Sequence, residues 1–342
     1  MKKKKRLKKQ VYYVLILIVF LVIGGIYANK RYKEYQYKKT YEYKLIDKGY
    51  TRDETEDILK IFKEDDYKFF LENEVNKKYI ELTKEKYFLT KNFYKYIEYM
   101  KKNKKLDLST VVRNINIHLD SRFYSTNYET DISKDTSIIV NKYYLLSKDY
   151  NPDDLVTISR DYAWGELGSQ KVRKVTYDAF LEMWEEAKNN GYYLMVSSSY
   201  RTYEEQEIVY NNYKKKRGEK YADSIAARPG ASEHQTGLTL DIFSKDNSNK
   251  NTFKDTEVFK WLKDNSYKFG FILRYPEDKV NVTGYGYESW HYRYVGKKIA
   301  KYIYENNITF EEYYAYFIEK WDFEGLILIL CVLSVVHQNL FF

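Results

Sequence analysis

The chain has 342 residues, enough for one large domain or two smaller ones, and a formal net charge of +9. Seven positive residues (Lys2, Lys3, Lys4, Lys5, Arg6, Lys8 and Lys9) lie in the first ten. Set against the total they leave +2 for the rest, which excludes the basic folded surface of a nucleic-acid binder. The only cysteine, Cys331, excludes an intrachain disulfide, a cysteine zinc ribbon and a dithiol redox motif.

Residues 1–10 read as a cytoplasmic basic segment and Val11–Ala28 as a transmembrane anchor, 18 residues without a charge. As a helix this run reaches about 27 Å at about 1.5 Å per residue, close to the hydrocarbon thickness of a bilayer. The basic residues before it predict a cytoplasmic N-terminus, with everything from Asn29 outside, in a single-pass membrane protein. A cleaved signal peptide is the alternative, but no Ala-x-Ala site follows the run. Residues 29–44 read as a stalk.

Residues 45–135 read as a small helical subdomain. Thr51-Arg52-Asp53-Glu54 has the pattern of a capping box opening a helix, and Phe69–Asn73, Lys78–Leu82, Phe93–Lys101 and Val111–Leu119 continue in short helical pieces. His118 has no acidic or histidine partner nearby in sequence and reads as structural. From Ile138 strands alternate with helices. Leu155–Arg160 predicts a strand, Thr176–Asn190 an amphipathic helix ended by Gly191, and Tyr192–Ser198 a buried strand. Thr202 and Glu205 form a second capping pattern, so a helix runs from Tyr203 to about Arg217, with Arg201 at the strand-to-helix junction. Ala227–Ala231 is a loop and Gly237–Ile242 a strand. Glu257–Phe269 is a helix closed by Gly270, Phe271–Arg274 a short strand and Trp290–Val295 the last strand. Lys297–Asn306 is a helix, and Thr309–Glu312 opens another to about Lys320. The tail, 323–342, holds the apolar run Leu326–Val336, too short to span a bilayer alone.

Two stretches carry the chemistry. The first is Ser232-Glu233-His234-Gln235-Thr236-Gly237-Leu238-Thr239-Leu240-Asp241, and the second, about fifty residues on, is Glu288-Ser289-Trp290-His291. Strand alternation puts Thr239 and Asp241 on one face, and His291 and Arg293 on one face of the last strand. Gly237 lets the chain bend so that His234 can meet Asp241. An ideal strand would put Glu288 opposite to His291, so Glu288 must lie in a turn, which Gly284 and Gly286 allow. Singly, each residue is better read as a cap, a turn or a packed histidine. Together His234, Asp241 and His291 are three zinc-competent ligands, with Glu288 a further polar group able to act as a base.

Ser-x-His-x-x-Gly-x-x-x-Asp followed by Glu-x-x-His resembles the zinc D-alanyl-D-alanine carboxypeptidases of the VanY type, among the LAS metallopeptidases. The resemblance extends to Ser198-Ser199-Tyr200-Arg201 with Gln206, and to Asn141-Lys142 and Tyr150–Val156, spanning about 138–300. It implies that His234, Asp241 and His291 bind zinc and that Glu288 is the general base. It implies further that Arg201 polarises the scissile carbonyl or stabilises its oxyanion, and that Ser232 and Gln206 help seat the terminal carboxylate. The expected fold is α+β. A small antiparallel zinc-bearing sheet is flanked by helices in a domain over 136–322, behind the helical subdomain and the N-terminal transmembrane helix. The expected activity is hydrolysis of the bond before the C-terminal D-alanine of peptidoglycan stem peptides. The motif does not separate this from an L,D-carboxypeptidase or a stem-peptide endopeptidase. A non-catalytic wall-binding or sensor protein is the rival from another class.

Overall fold

The computed structural model describes residues 9–319 apart from Leu167. The apolar tail over 323–342, Cys331 and most of the basic leader lie outside the described residues. The chain divides into two compact units, the first ending at Val112 and the second beginning at Arg113.

The first unit is helical: α1 (Lys9–Lys39), α2 (Tyr41–Lys48), α3 (Arg52–Ile61), α4 (Glu64–Glu72), α5 (Lys77–Thr83), α6 (Phe93–Lys102) and the start of α7 (Leu108–Asn116). Over Val11–Ile23 the apolar side chains of α1 are exposed, with none of them buried among the described residues. It is long and apolar enough to cross a bilayer. Helix α3 starts as its sequence dictates. The Thr51 hydroxyl accepts from the Glu54 N–H at 3.2 Å, and the Glu54 carboxylate accepts from the Thr51 N–H at 2.8 Å. The core is aromatic, with Phe62, Phe70 and Phe93 buried and ring centroids 4.6 to 5.5 Å apart. Helix α7 stops short of Leu119 because His118 adopts a left-handed backbone (φ 65°) and the Leu119 N–H folds back onto the Asn114 carbonyl. The His118 Nε2 lies 3.0 Å from the Tyr144 hydroxyl and its ring packs on Tyr128, a structural setting.

The second unit is built on β-structure. A short parallel pair, β1 (Tyr128–Glu129) with β2 (Tyr144–Leu145), leads to an antiparallel pair, β3 (Leu155–Thr157) with β4 (Lys171–Arg173). Strand β3 is shorter than the alternation over Leu155–Arg160 suggests. The Ser159 hydroxyl takes the Asp161 N–H and bends the chain away, a local side-chain bond competing with the ladder. Helix α8 (Lys174–Asn189) then feeds β5 (Leu194–Ser198), followed by α9 (Tyr203–Arg217), α10 (Glu219–Ile225), β6 (Thr239–Ser244), α11 (Glu257–Asn265), β7 (Phe271–Leu273), α12 (Val280–Thr283), β8 (His291–Tyr294), α13 (Lys297–Asn306) and α14 (Phe310–Tyr313).

The main sheet is antiparallel in the order β5-β6-β8-β7. Alternation divides its faces. Leu240, Ile242, Phe271 and Tyr292 pack with Phe180, Met183 and Ala187 of α8 and Leu262 of α11 into the main core. A fully buried side chain of this size stabilises by about 1.5–3 kcal/mol. Thr239, Asp241, His291 and Arg293 point to the other face. Ile272 on the same face joins Ile303, Phe310 and Tyr314 in a second apolar cluster. The second face thus carries both this apolar cluster and polar groups, with Arg293 packed over the Phe310 ring of α14.

Candidate metal centre and its cleft

The register of β6 against β8 pairs Asp241 with His291 and Thr239 with Arg293. Side chains directly opposite on one face of an antiparallel pair approach to about 4.5–5.5 Å at Cβ, so the pairing alone brings the aspartate to the second histidine. The Asp241 Oδ1 is 3.3 Å from the His291 Nδ1.

His234 arrives from outside the sheet. It sits in a single 3₁₀ turn, Glu233–Thr236, closed by Gly237 in the left-handed region (φ 66°). A side chain at Gly237 would also meet Arg173 Cγ at 2.8 Å and Leu155 Cδ2 at 3.1 Å, so the bend requires glycine twice over. The Thr236 hydroxyl donates to the Glu233 carbonyl and accepts from the Leu238 N–H, which locks the turn. The imidazole is aimed by its Nδ1, 2.6 Å from the Ser199 carbonyl, so its Nε2 faces Asp241 Oδ1 at 3.5 Å. Each of His234, Asp241 and His291 offers one ligand atom, and these atoms lie within 4.8 Å of one another. All three residues are buried.

Two observations test whether this group fits a cation. The Asp241 Oδ1 is fully buried yet makes no hydrogen bond, a costly state for a carboxylate oxygen unless something else satisfies it. The surroundings of His291 hold three carboxylates, with Glu233 and Glu288 each 3.4 Å from its ring nitrogens beside Asp241. Burial opposes a charged His291, but Asp241 and Glu233 overcome it and push its pKa up to about 9. Of these carboxylates Glu233 is paired with Arg274 and Arg293, which leaves Asp241 and Glu288 facing the ring. Burial likewise disfavours a charged Asp241, but the two imidazoles hold its carboxyl well below the usual range. Two imidazoles and one carboxylate with a free side toward a cleft form the donor set of an open zinc site.

Glu288 lies in the loop before β8, tied by its N–H to the Tyr275 carbonyl and by its own carbonyl to the His291 N–H. That turn, expected from the glycines upstream, puts its carboxylate on the same side as His291. Burial pushes its pKa up to about 7; His291 opposes the rise and Asp241 adds to it. A bound cation would act in the opposite sense.

Arg201 stands where β5 passes into α9. Its guanidinium donates to the Gln206 Oε1 at 2.6 Å and to the Ser198 hydroxyl at 2.9 Å, while the Gln206 Nε2 donates to the Ala227 carbonyl. Gln206 is thus buried behind Arg201 with both ends of its amide engaged, and Ser232 lines the cleft at the N-terminal end of the His234 turn. The cleft, about 170 Å³, brings Arg201, Gln206, Ser232 and Glu288 together with His234, Asp241 and His291. All seven residues singled out from the sequence line it.

Two further residues belong to this site and were not assigned from the sequence. Glu233 is 1% exposed and is held by Arg274 (2.8 Å) and Arg293 (3.0 Å), which follow it by 41 and 60 positions. Lys250, from the loop after β6, lines the cleft with its ammonium 4.7 Å from the Trp290 ring centre. Only the position of Glu233 beside His234 marked it; nothing in the coil around Lys250 did.

Comparison with known proteins agrees with this geometry. The VanY family, described as D-alanyl-D-alanine carboxypeptidase, matches residues 169–297. The chain is similar to the putative carboxypeptidase YodJ of Bacillus subtilis, at 44% identity over 52% of this chain and 66% of that protein. It is also similar to a D-alanyl-D-alanine carboxypeptidase of Enterococcus faecium, at 31% identity over 63% of this chain and 71% of that one. Among solved structures it resembles the LdcB LD-carboxypeptidase, with 41% identity and a TM-score of 0.53 over 56% of this chain and 90% of that one. With the His234, Asp241 and His291 group, the cleft and these relatives in agreement, the chain belongs to the VanY family of D-alanyl-D-alanine carboxypeptidases.

Proposed function

We propose that the protein is a zinc-dependent carboxypeptidase that removes the C-terminal D-alanine from peptidoglycan stem peptides. The observation that carries this is the convergence of His234, Asp241 and His291 with Glu288 in a cleft that also holds Arg201. His234 through Nε2, Asp241 through Oδ1 and His291 through Nδ1 would hold the ion. Zinc in such a site supplies Lewis acidity, polarising a carbonyl and acidifying a water to a pKa of about 7. Glu288 accepts the proton of the attacking water and returns it to the departing amine. Arg201, permanently charged and braced by Gln206 and Ser198, donates to the scissile carbonyl oxygen as negative charge develops there. Ser232 offers a hydroxyl at the cleft wall for the terminal carboxylate, and Gln206 acts on substrate through Arg201.

A second reading is favoured by the likeness to the LdcB LD-carboxypeptidase: the same centre trims tetrapeptides. Mass spectrometry of products from defined penta- and tetrapeptides decides between them. The D,D reading expects loss of one alanine from the pentapeptide and no cut in the tetrapeptide. A chelator should abolish that loss and zinc should restore it. Stoichiometric zinc with no cleavage of either peptide would leave a non-catalytic wall-binding protein.

Helix α1 would anchor the enzyme, with the basic leader cytoplasmic and the cleft on the outer face where the substrate lies. Intact cells treated with an external protease should lose the C-terminal unit. The full-length chain should partition with membranes and be released by detergent rather than by salt. Recovery of a chain lacking α1 from the medium would point to a cleaved signal instead.

A further inference from the structure

The two histidines of the site use different ring nitrogens. His234 turns its Nδ1 to the Ser199 carbonyl and its Nε2 inward, whereas His291 turns its Nδ1 to Asp241 and Glu288 and its Nε2 to Glu233. An imidazole ligates through one nitrogen only if the other carries the proton, and the partner of that proton sets ring orientation and ligand basicity. A backbone carbonyl does this for His234. For His291 the partner is a side chain.

We propose that Glu233 is a positioning residue that fixes His291 as an Nδ1 ligand. The inference rests on the reading of the site as a zinc centre. The two oxygens of Glu233 divide the work. Arg274 Nε and Arg293 Nη1 both donate to Oε1, which leaves Oε2 facing the His291 Nε2 at 3.4 Å. Neither arginine is free to swing. Arg274 gives its remaining nitrogens to Glu311, and Arg293 donates to the carbonyls of Thr136 and Ile138. Both guanidiniums are at most 1% exposed. The two arginines thus hold Oε1 from one side and fix the direction in which Oε2 faces. A carboxylate at this point also makes His291 a stronger donor than a carbonyl would. A buried four-charge cluster is costly to assemble, and its contact with a ligand histidine gives it a use beyond packing.

The chain has only four histidines, so long-range proton–nitrogen spectra of the full-length, ¹⁵N-histidine-labelled protein in detergent can resolve each ring. His118→Gln and His337→Gln remove the signals of the other two. With zinc bound, one imidazole should be ligated through Nε2 and the other through Nδ1 with its Nε2 protonated. Ligation of both through Nε2 overturns the inference and leaves the zinc reading intact. No metal-shifted imidazole overturns both. In parallel, Glu233→Gln should weaken zinc binding by about 10–100-fold, read by competition with a chromophoric chelator on the folded protein. A merely structural glutamate would lower thermal stability and leave that affinity unchanged, which would also overturn the inference. Should the variant not fold, the wild-type spectra decide alone.

Discussion

Replacing Glu288 by glutamine should lower turnover of a stem pentapeptide by about 10²–10⁴-fold, the range for loss of a positioned general base, while metal content stays at the wild-type level. The carboxylate is held in the loop before β8, 3.4 Å from the His291 Nδ1 and partly open to the cleft, with 23% of the side chain exposed. Glutamine keeps the size and polarity of the side chain but cannot take a proton. His234, Asp241 and His291 are untouched, and their meeting does not depend on Glu288. Metal analysis beside a hydrolysis assay checks both halves of the expectation. Full activity in the variant would remove Glu288 as the base, and loss of metal would make it a ligand instead.

Arg201→Lys should cost about 10²–10³-fold in kcat, the usual consequence of removing one donor to a developing oxyanion. The substitution keeps the charge but not the planar fork that now holds Gln206 and Ser198 together. The ammonium group is a compact, mobile donor, and the Gln206 Oε1 would lose its present partner. The kinetic split carries the information. A fall in kcat with KM little changed places Arg201 on the scissile carbonyl, whereas a rise in KM alone places it on the terminal carboxylate. Zinc content should not change, because no ligand hydrogen-bonds through the Arg201 side chain among the described residues.

Much of this site was legible in the chain because strand alternation and a glycine bend are local rules. Thr239 and Asp241 had to share a face, and so did His291 and Arg293. Gly237 had to turn the backbone for His234 to come back. Glu288, three residues before His291, had to leave the strand. What was not legible was non-local. The burial of Arg274 and Arg293 is made possible by Glu233 and Glu311, which lie 37 to 60 positions from them along the chain. No periodicity announces such a pairing. The strand expected over Leu155–Arg160 was cut short by the Ser159 hydroxyl, and the helix expected to reach Leu119 by a left-handed His118. In both cases a few atoms of one residue outweighed the preference of the segment.

The clamp on Arg274 sets a lower bound on any soluble fragment meant for crystallography or inhibitor screening. The family match ends at residue 297, and trimming there would look safe by alignment. It would also delete Glu311, which holds two nitrogens of Arg274 and the amide of Asn141. Arg274 would keep only Glu233, and Ile303, Phe310 and Tyr314 would be lost from the apolar cluster over Ile272, opening that face of the sheet to water. An expression boundary drawn past α14 keeps that face covered and Arg274 held by both glutamates, and one drawn before it should give insoluble protein.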